Sequence, residues 1–150
     1  MTDIALVWDN VNGRADFAIV NGDLQMDAGL WTAVLISLFC DRQADPSDII
    51  PDGSTDPRGW WGDTPPAGVD AAGIDLTGSK LWLLPKLQVD NTLQQAEAYV
   101  TQALQWMIAD GVATAVSCVA SYPQRGWLGL QITIQQGATS TVYDLQWSAS

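Results

Sequence analysis

Trp127-Leu128-Gly129-Leu130-Gln131-Ile132-Thr133-Ile134-Gln135 alternates without a slip, with leucine or isoleucine at every even position and Gly129, Gln131 and Thr133 between them. A period of two puts all the large apolar side chains on one face of an extended strand. That face must be covered, while the other can meet water. Gly137 turns the chain into Thr141-Val142-Tyr143-Asp144-Leu145-Gln146-Trp147, and upstream Ala113 to Ser121 reads as a third strand, joined through the loop Tyr122-Pro123-Gln124-Arg125-Gly126. Connections this short allow only antiparallel neighbours, so the C-terminal part is a β-meander. Its last strand is an edge, open to pairing with another chain.

An amphipathic helix precedes the meander and can cover it. Leu93, Ala96, Val100, Ala103, Leu104 and Met107 form one face through Ala109, and Gln94, Glu97, Thr101 and Gln105 face away. Asn91 or Asp90 is the expected cap, Asn91 and Gln94 have capping-box spacing, and Gly111 is the stop. An earlier helix is predicted over Ala28 to Arg42 with Asp27 as its N-cap. Leu30, Trp31, Val34, Leu35, Leu38 and Phe39 follow helical spacing, and Ala33 and Ile36 widen the stripe. A helix apolar nearly all round is deeply buried or shared with another chain. Ahead of it, Ile4 to Trp8 and Ala15 to Val20 flank turn residues Asp9 to Gly13 as a hairpin. Asn21-Gly22-Asp23 is a further turn leading into Leu24-Gln25-Met26. The expected fold is α+β, an antiparallel β-meander packed with two main helices, plus the N-terminal hairpin and a long Pro/Gly/Trp-rich loop. A chain of 150 residues suits one domain, 1–150.

The loop spans 44–79. Pro46, Pro51, Pro57, Pro65 and Pro66 fall in it, with glycines at 53, 59, 62, 68, 73 and 78. An insertion of this size is usually functional. At its centre lies Asp56-Pro57-Arg58-Gly59-Trp60-Trp61-Gly62-Asp63. Paired tryptophans in a turn segment need cover, from the protein's own core or from a partner, and they weigh against a solvated linker. The planar fork of Arg58 suits a carboxylate or several carbonyls. Asp56 and Asp63 can be that carboxylate or can fix turns through their own backbone. The segment reads as a rigid docking knuckle. Leu81-Trp82-Leu83-Leu84 ends the loop as a short buried run stopped by Pro85.

Composition narrows the function. Apolar residues make up 47 % and charged residues 15 %, with eight tryptophans, a load that fits an assembly subunit and an aromatic-rich core equally. The net charge of -11, from 17 acids and six bases, leaves no basic cluster to neutralise phosphates or to seek an anionic membrane. Met1-Thr2-Asp3 lacks the basic start of a signal peptide, and the longest apolar run, Leu30 to Cys40, is too short to span a bilayer. Cys40 and Cys118 read as buried free thiols. With no histidine and no cysteine cluster, neither a zinc nor a haem site is expected, and no cofactor. A calcium site from Asp45, Asp48, Asp52 and Asp56 lacks the spacing of a known loop, so these read as solvated acids.

The order of hairpin, buried helix, Arg-Gly-Trp-Trp-Gly-Asp loop, Gly78-Ser79-Lys80-Leu81-Trp82-Leu83-Leu84, long helix and meander resembles the small baseplate wedge protein family of Mu-like phages with contractile tails. That family is similar to the T-even phage wedge protein that starts the tail sheath. The densest points are Asp23-Leu24, Thr32 to Phe39, Asp56 to Asp63, Gly78 to Leu84, and Ala103-Leu104-Gln105-Trp106. The chain departs from the family at Pro85-Lys86-Leu87-Gln88, where charged residues are usual, so an inter-subunit salt bridge is not expected there. The resemblance implies an inner-baseplate subunit of the virion, assembled in the host bacterial cytoplasm. Its implied partners are a larger baseplate wedge protein, the tail sheath protein and other baseplate subunits. It further implies that Asp56, Pro57 and Arg58 are wedge contacts, and that the C-terminal strands accept strands as a sheath subunit does. With Trp60, Trp61 and Asp63 as anchors and Val142, Tyr143, Leu145 and Trp147 along the edge, these are the expected partner-binding residues.

Two other functions are weighed against this one. A peptidoglycan-degrading, lysozyme-like tail enzyme needs two carboxylates around a cleft. Glu97 is the only glutamate, it faces away from the apolar stripe, and no nucleophile-base pattern exists, so no catalytic residue is assigned. A carbohydrate-binding module would stack sugars on exposed tryptophans, whereas Gly59-Trp60-Trp61-Gly62 beside apolar helices reads as a surface to be buried.

Overall fold

The computed structural model describes residues 3–63, 76–84 and 91–148. Residues 64–75 of the long loop lie outside this description, as do Pro85 to Asp90, with the family departure and the alternative cap they carry.

Residues 3–27 form three short antiparallel ribbons. β1 (Asp3–Ile4) pairs with β6 (Met26–Asp27), β2 (Leu6–Asp9) with β3 (Arg14–Phe17), and β4 (Ile19–Val20) with β5 (Asp23–Leu24). Single residues, Ala5, Ala18 and Gln25, separate the segments, and their peptide groups close on one another. Ala5 N–H donates to the Gln25 carbonyl at 2.8 Å, Gln25 N–H to Ala18 at 2.8 Å, and Ala18 N–H to Ala5 at 3.0 Å. The expected hairpin is therefore β2–β3, and it belongs to a three-way junction whose inner peptide groups are all satisfied. The small side chains of Ala5 and Ala18 are buried at that node.

α1 (Trp31–Phe39) is shorter than predicted at both ends. Asp27 is not the residue that precedes the helix. Its carboxylate reaches forward instead, accepting the N–H of Gly29 and of Thr32, each at 2.8 Å. Those bonds satisfy orphan donors of the first turn and hold the Asp27 carboxyl below its ordinary range, even though burial alone would raise it. Val34, Leu35 and Leu38 are buried, while Ile36 is exposed, so the helix is sunk on most sides.

α2 (Thr92–Ala103) and α3 (Gln105–Ala109) share the predicted apolar face, with a break at Leu104. The Asn91–Gln94 capping box does not form. Asn91 lies in the left-handed region (φ 79°), away from the extended backbone that aims a capping side chain at the helix amides. Gly111, at φ 71°, ends the segment as expected.

β7 (Ala115–Ser121), β8 (Trp127–Gln136) and β9 (Thr139–Ser148) form the antiparallel meander in that order. Leu128, Leu130, Ile132 and Ile134 are buried against Ala96, Val100, Leu104 and Met107, with α1 and Leu145 completing the core. Burial of each such leucine or isoleucine stabilises the fold by about 1.5–3 kcal/mol. Gln131, Val142 and Asp144 lie on the open face.

Both edges of the sheet are occupied in part. At β7, Glu97 does not face away as predicted; it is half-buried, and its Oε1 accepts the Ala120 N–H at 2.9 Å. At β9, the N-terminal ribbons close one end. Trp8 stacks on Phe39 with ring centroids 4.1 Å apart, Phe39 meets Trp147 edge-on, and Trp8 Nε1 donates to the Gln146 carbonyl at 3.1 Å. Asn10 Oδ1 accepts the Gln146 N–H at 2.9 Å. Among the described residues, no helix is long and apolar enough to cross a membrane.

Candidate functional site

The long loop starts where α1 stops. Gly78 lies so close to the end of α1 that an added Cβ would sit 2.3 Å from the Cys40 carbonyl oxygen, and its φ is +93°. Only glycine fits both demands. Beside it Ser79 N–H donates to Cys40, Arg42 N–H donates to Ser79, and Asp41 and Ser79 form a parallel bridge. Arg42 Nη1 donates to the Leu76 carbonyl at 2.8 Å, and Trp82 Nε1 to the Arg42 carbonyl at 2.8 Å. The 76–84 segment is thus the floor on which residues 41–63 are built.

Lys80 is the deepest charge of that floor, 5 % exposed, with Nζ 2.6 Å from both Asp45 and Asp48. Burial pulls its pKa down, and the two carboxylates more than reverse the effect, leaving the ammonium above the usual lysine value. The bond from Lys80, more than any other influence, holds the Asp48 carboxyl below the usual range. The acids considered for calcium are therefore engaged by cations and amides. Asp45 and Asp48 hold Lys80, Asp52 lies 3.8 Å from Arg58, and Asp56 Oδ1 accepts the Arg58 N–H. Among the described residues no group of three His, Cys, Asp or Glu is placed to hold a metal.

The knuckle itself is pinned at three points. Pro57 C=O accepts the Ala44 N–H at 2.9 Å. Arg58 Nη1 bonds Asp41 Oδ2 at 2.8 Å, and its guanidinium carbon lies 4.4 Å above the Trp82 ring. Asp63 is buried, accepting the Thr77 N–H at 2.8 Å and the Thr77 hydroxyl at 2.9 Å. Arg58 holds φ at +52°, a left-handed backbone that costs a non-glycine residue about 1 kcal/mol and persists only where its surroundings fix it. The carboxylate partners of Arg58 are Asp41 and, at longer range, Asp52, while Asp56 and Asp63 act on turns and backbone.

Between these pins the indoles project. Trp60 is 48 % exposed and Trp61 82 %. Their rings are 5.3 Å apart and tilted by 48°. A tilted pair offers a ridge, not the flat platform on which a sugar ring stacks. Trp60 lies across Gly62, where an added Cβ would fall 2.2 Å from the ring.

The four residues expected along the last strand behave differently from one another. Val142 is exposed on the open face. Tyr143 stacks on Trp31 at 5.1 Å, Leu145 is fully buried, and Trp147 packs on Phe39. The side chains of Tyr143, Leu145 and Trp147 are thus committed inward, and only their backbone lies along the edge. Because the Gln146 peptide groups point outward, the same parity turns those of Asp144 and Val142 outward as well. Sequence reasoning missed Asp41, Thr77, Lys80 and Trp82 as supports of the knuckle, and Trp8 and Asn10 as the cover at Gln146. Lys80 beside an apolar run was the one available signal. Cys118 is free, its thiol pushed up to about 12 chiefly by burial, which leaves it an unreactive packing residue.

The chain is thus an α+β body with a braced loop that holds two indoles in solvent. Comparison with known proteins gives the class a family. A family model described as "Phage protein GP46" matches residues 30–141. The chain is 42 % identical over 135 residues to baseplate protein gp46 of Escherichia phage Mu, covering 89 % of this chain and 87 % of that protein. It is 38 % identical over 135 residues, with the same coverage, to Mu-like prophage FluMu protein gp46 of Haemophilus influenzae. The chain belongs to the GP46 family of Mu-like phage baseplate proteins.

Proposed function

We propose that the protein is a non-enzymatic, single-domain structural subunit of a contractile-tail baseplate, present in the virion and assembled in the host cytoplasm. In this reading it docks on a larger wedge protein through Asp56, Pro57, Arg58, Trp60, Trp61 and Asp63, and templates the first sheath layer by strand pairing along β9. The observation that carries the reading is the braced knuckle: a strained Arg58 backbone and two carboxylate anchors keep a pair of tryptophans in solvent. Large aromatic side chains held rigid and exposed are what a buried interface anchor looks like before its partner arrives.

Trp61→Ala tests the docking, because that ring is the more exposed of the two. The variant should keep the wild-type unfolding midpoint and lose co-purification with the larger wedge protein, and Arg58→Ala should weaken it similarly. Undiminished co-purification of both variants would overturn the docking role. A lysozyme-like activity receives no support from the geometry, since Glu97 is tied to the Ala120 amide.

A further inference from the structure

The N-terminal ribbons carry a second apolar surface, remote in sequence from the knuckle. Residues directly opposite in an antiparallel pair share a face, which groups Leu6 with Phe17, Ile19 with Leu24, and Ile4 with Met26. One residue separates successive segments at Ala5, Ala18 and Gln25, so parity is kept and these side chains fall on one continuous face. Its inner end, Leu6 and Trp8, packs on the core. Its outer part is bare, with Phe17 59 % exposed, Ile19 68 % exposed, and Ile4, Leu24 and Met26 exposed beside them. The closed ring at the junction braces this surface before anything binds it.

Charge decides what can cover it. The reverse face pairs Val7 with Asp16, Asp9 with Arg14 and Val20 with Asp23, and Asp3 is exposed at the ribbon end, so acids outnumber the single arginine there. These carboxylates add to the negative field of a strongly acidic chain, which favours a cationic rim on whatever docks on the apolar side. A second copy of a chain with net charge -11 would set like charges against like. An anionic membrane would do the same. We infer that the face formed by Ile4, Phe17, Ile19, Leu24 and Met26 is a second docking surface, whose occupant is a different protein subunit presenting an apolar patch rimmed by Lys or Arg. This inference rests on the baseplate reading in that the occupant is sought among subunits of the same particle.

The test uses the full chain against the purified baseplate and tail subunits of the same phage, one at a time, by titration calorimetry at low and physiological salt. Ile19→Asp should weaken binding of one subunit at least thirtyfold. Asp16→Lys with Asp23→Lys should weaken it about five- to tenfold and flatten its salt dependence. Thermal unfolding of Ile19→Asp should match wild type, because that side chain is exposed, and the lysine pair should unfold only slightly earlier, because Asp16 and Asp23 accept the exposed amides of Phe17 and Leu24. Loss of one subunit's binding on Ile19→Asp, with no subunit lost on Trp61→Ala, would support this surface while failing the knuckle reading. The reverse pattern would overturn this surface and leave the knuckle reading standing. Absence of binding by every subunit would overturn it too, as would self-association of the wild-type chain that Ile19→Asp abolishes.

Discussion

Single residues set the shape of the long loop, and their chemistry fixes what each substitution should do. Gly78→Ala places a methyl group against the Cys40 carbonyl at a left-handed backbone position, with backbone as the obstacle. Such a conflict should destabilise the protein by about 2–4 kcal/mol, read as a lower urea midpoint with unchanged slope. Gly62→Ala differs because its obstacle is a side chain; it should displace the Trp60 ring and change the near-ultraviolet circular dichroism while costing less stability. The Lys80 cluster gives a pH signature. Asp48 is held below the unfolded aspartate value of about 3.9, so its contribution is complete above roughly pH 5 and is lost as pH falls through the folded value. Lys80 is raised, so its share persists until alkaline pH exceeds the unfolded lysine value of about 10.4. Asp48→Asn should therefore lower stability near neutrality by about 1–2 kcal/mol and make the acid limb of urea unfolding shallower. Apart from Lys80 beside its apolar run, these supports were not visible in the sequence, because Arg58 and Asp63 find their partners 17 and 14 residues away. Only a folded loop brings Asp41, Thr77 and Trp82 beneath an octet that reads locally as glycines, acids and indoles.

At the scale of elements, strict periodicity made the meander legible, and β8 departs from its expected end by one residue. α1 was less legible because its start depends on how far the Asp27 carboxylate reaches, and its end on a glycine that arrives from residue 78. Pattern reports which side chains share a face; it says nothing of a remote segment that interrupts the helix. The edge of β9 shows the same limit. Alternation marked Tyr143, Leu145 and Trp147 as a strand, yet their side chains complete the core, and the exposed groups are peptide N–H and C=O at Val142 and Asp144. Proline tests this parity. Val142→Pro removes an amide that points away from β8, a position a sheet edge tolerates, and should cost about 1 kcal/mol while blocking the strand addition proposed for this edge. Tyr143→Pro removes an amide facing β8 and should cost about 3 kcal/mol or more. Thermal unfolding, with sheath assembly in parallel, separates the two; equal destabilisation would refute the assigned parity.

Across the whole molecule, the two apolar displays belong to different parts of the chain: one is braced by the 76–84 floor, the other by the junction of three ribbons. The aromatic train of Trp8, Phe39 and Trp147 joins the ribbons to the body. Phe39→Ala should cut that link at a cost of about 2–3 kcal/mol, and the amides of Ala5, Ala18 and Gln25 should then exchange faster while those of β8 stay protected. Uniform acceleration across both regions would show that ribbons and body open as one unit.

The bonds from Trp8 and Asn10 to Gln146 join residues 138 and 136 positions apart. A ribosome emits residues 3–27 well before the last strand of the meander, so the earlier segment must wait for the later one before it can lock. Translation that halts in between would leave the N-terminal hydrophobic side chains without their berth, open to proteolytic clearance. The two bonds to Gln146 therefore form only after the meander is complete.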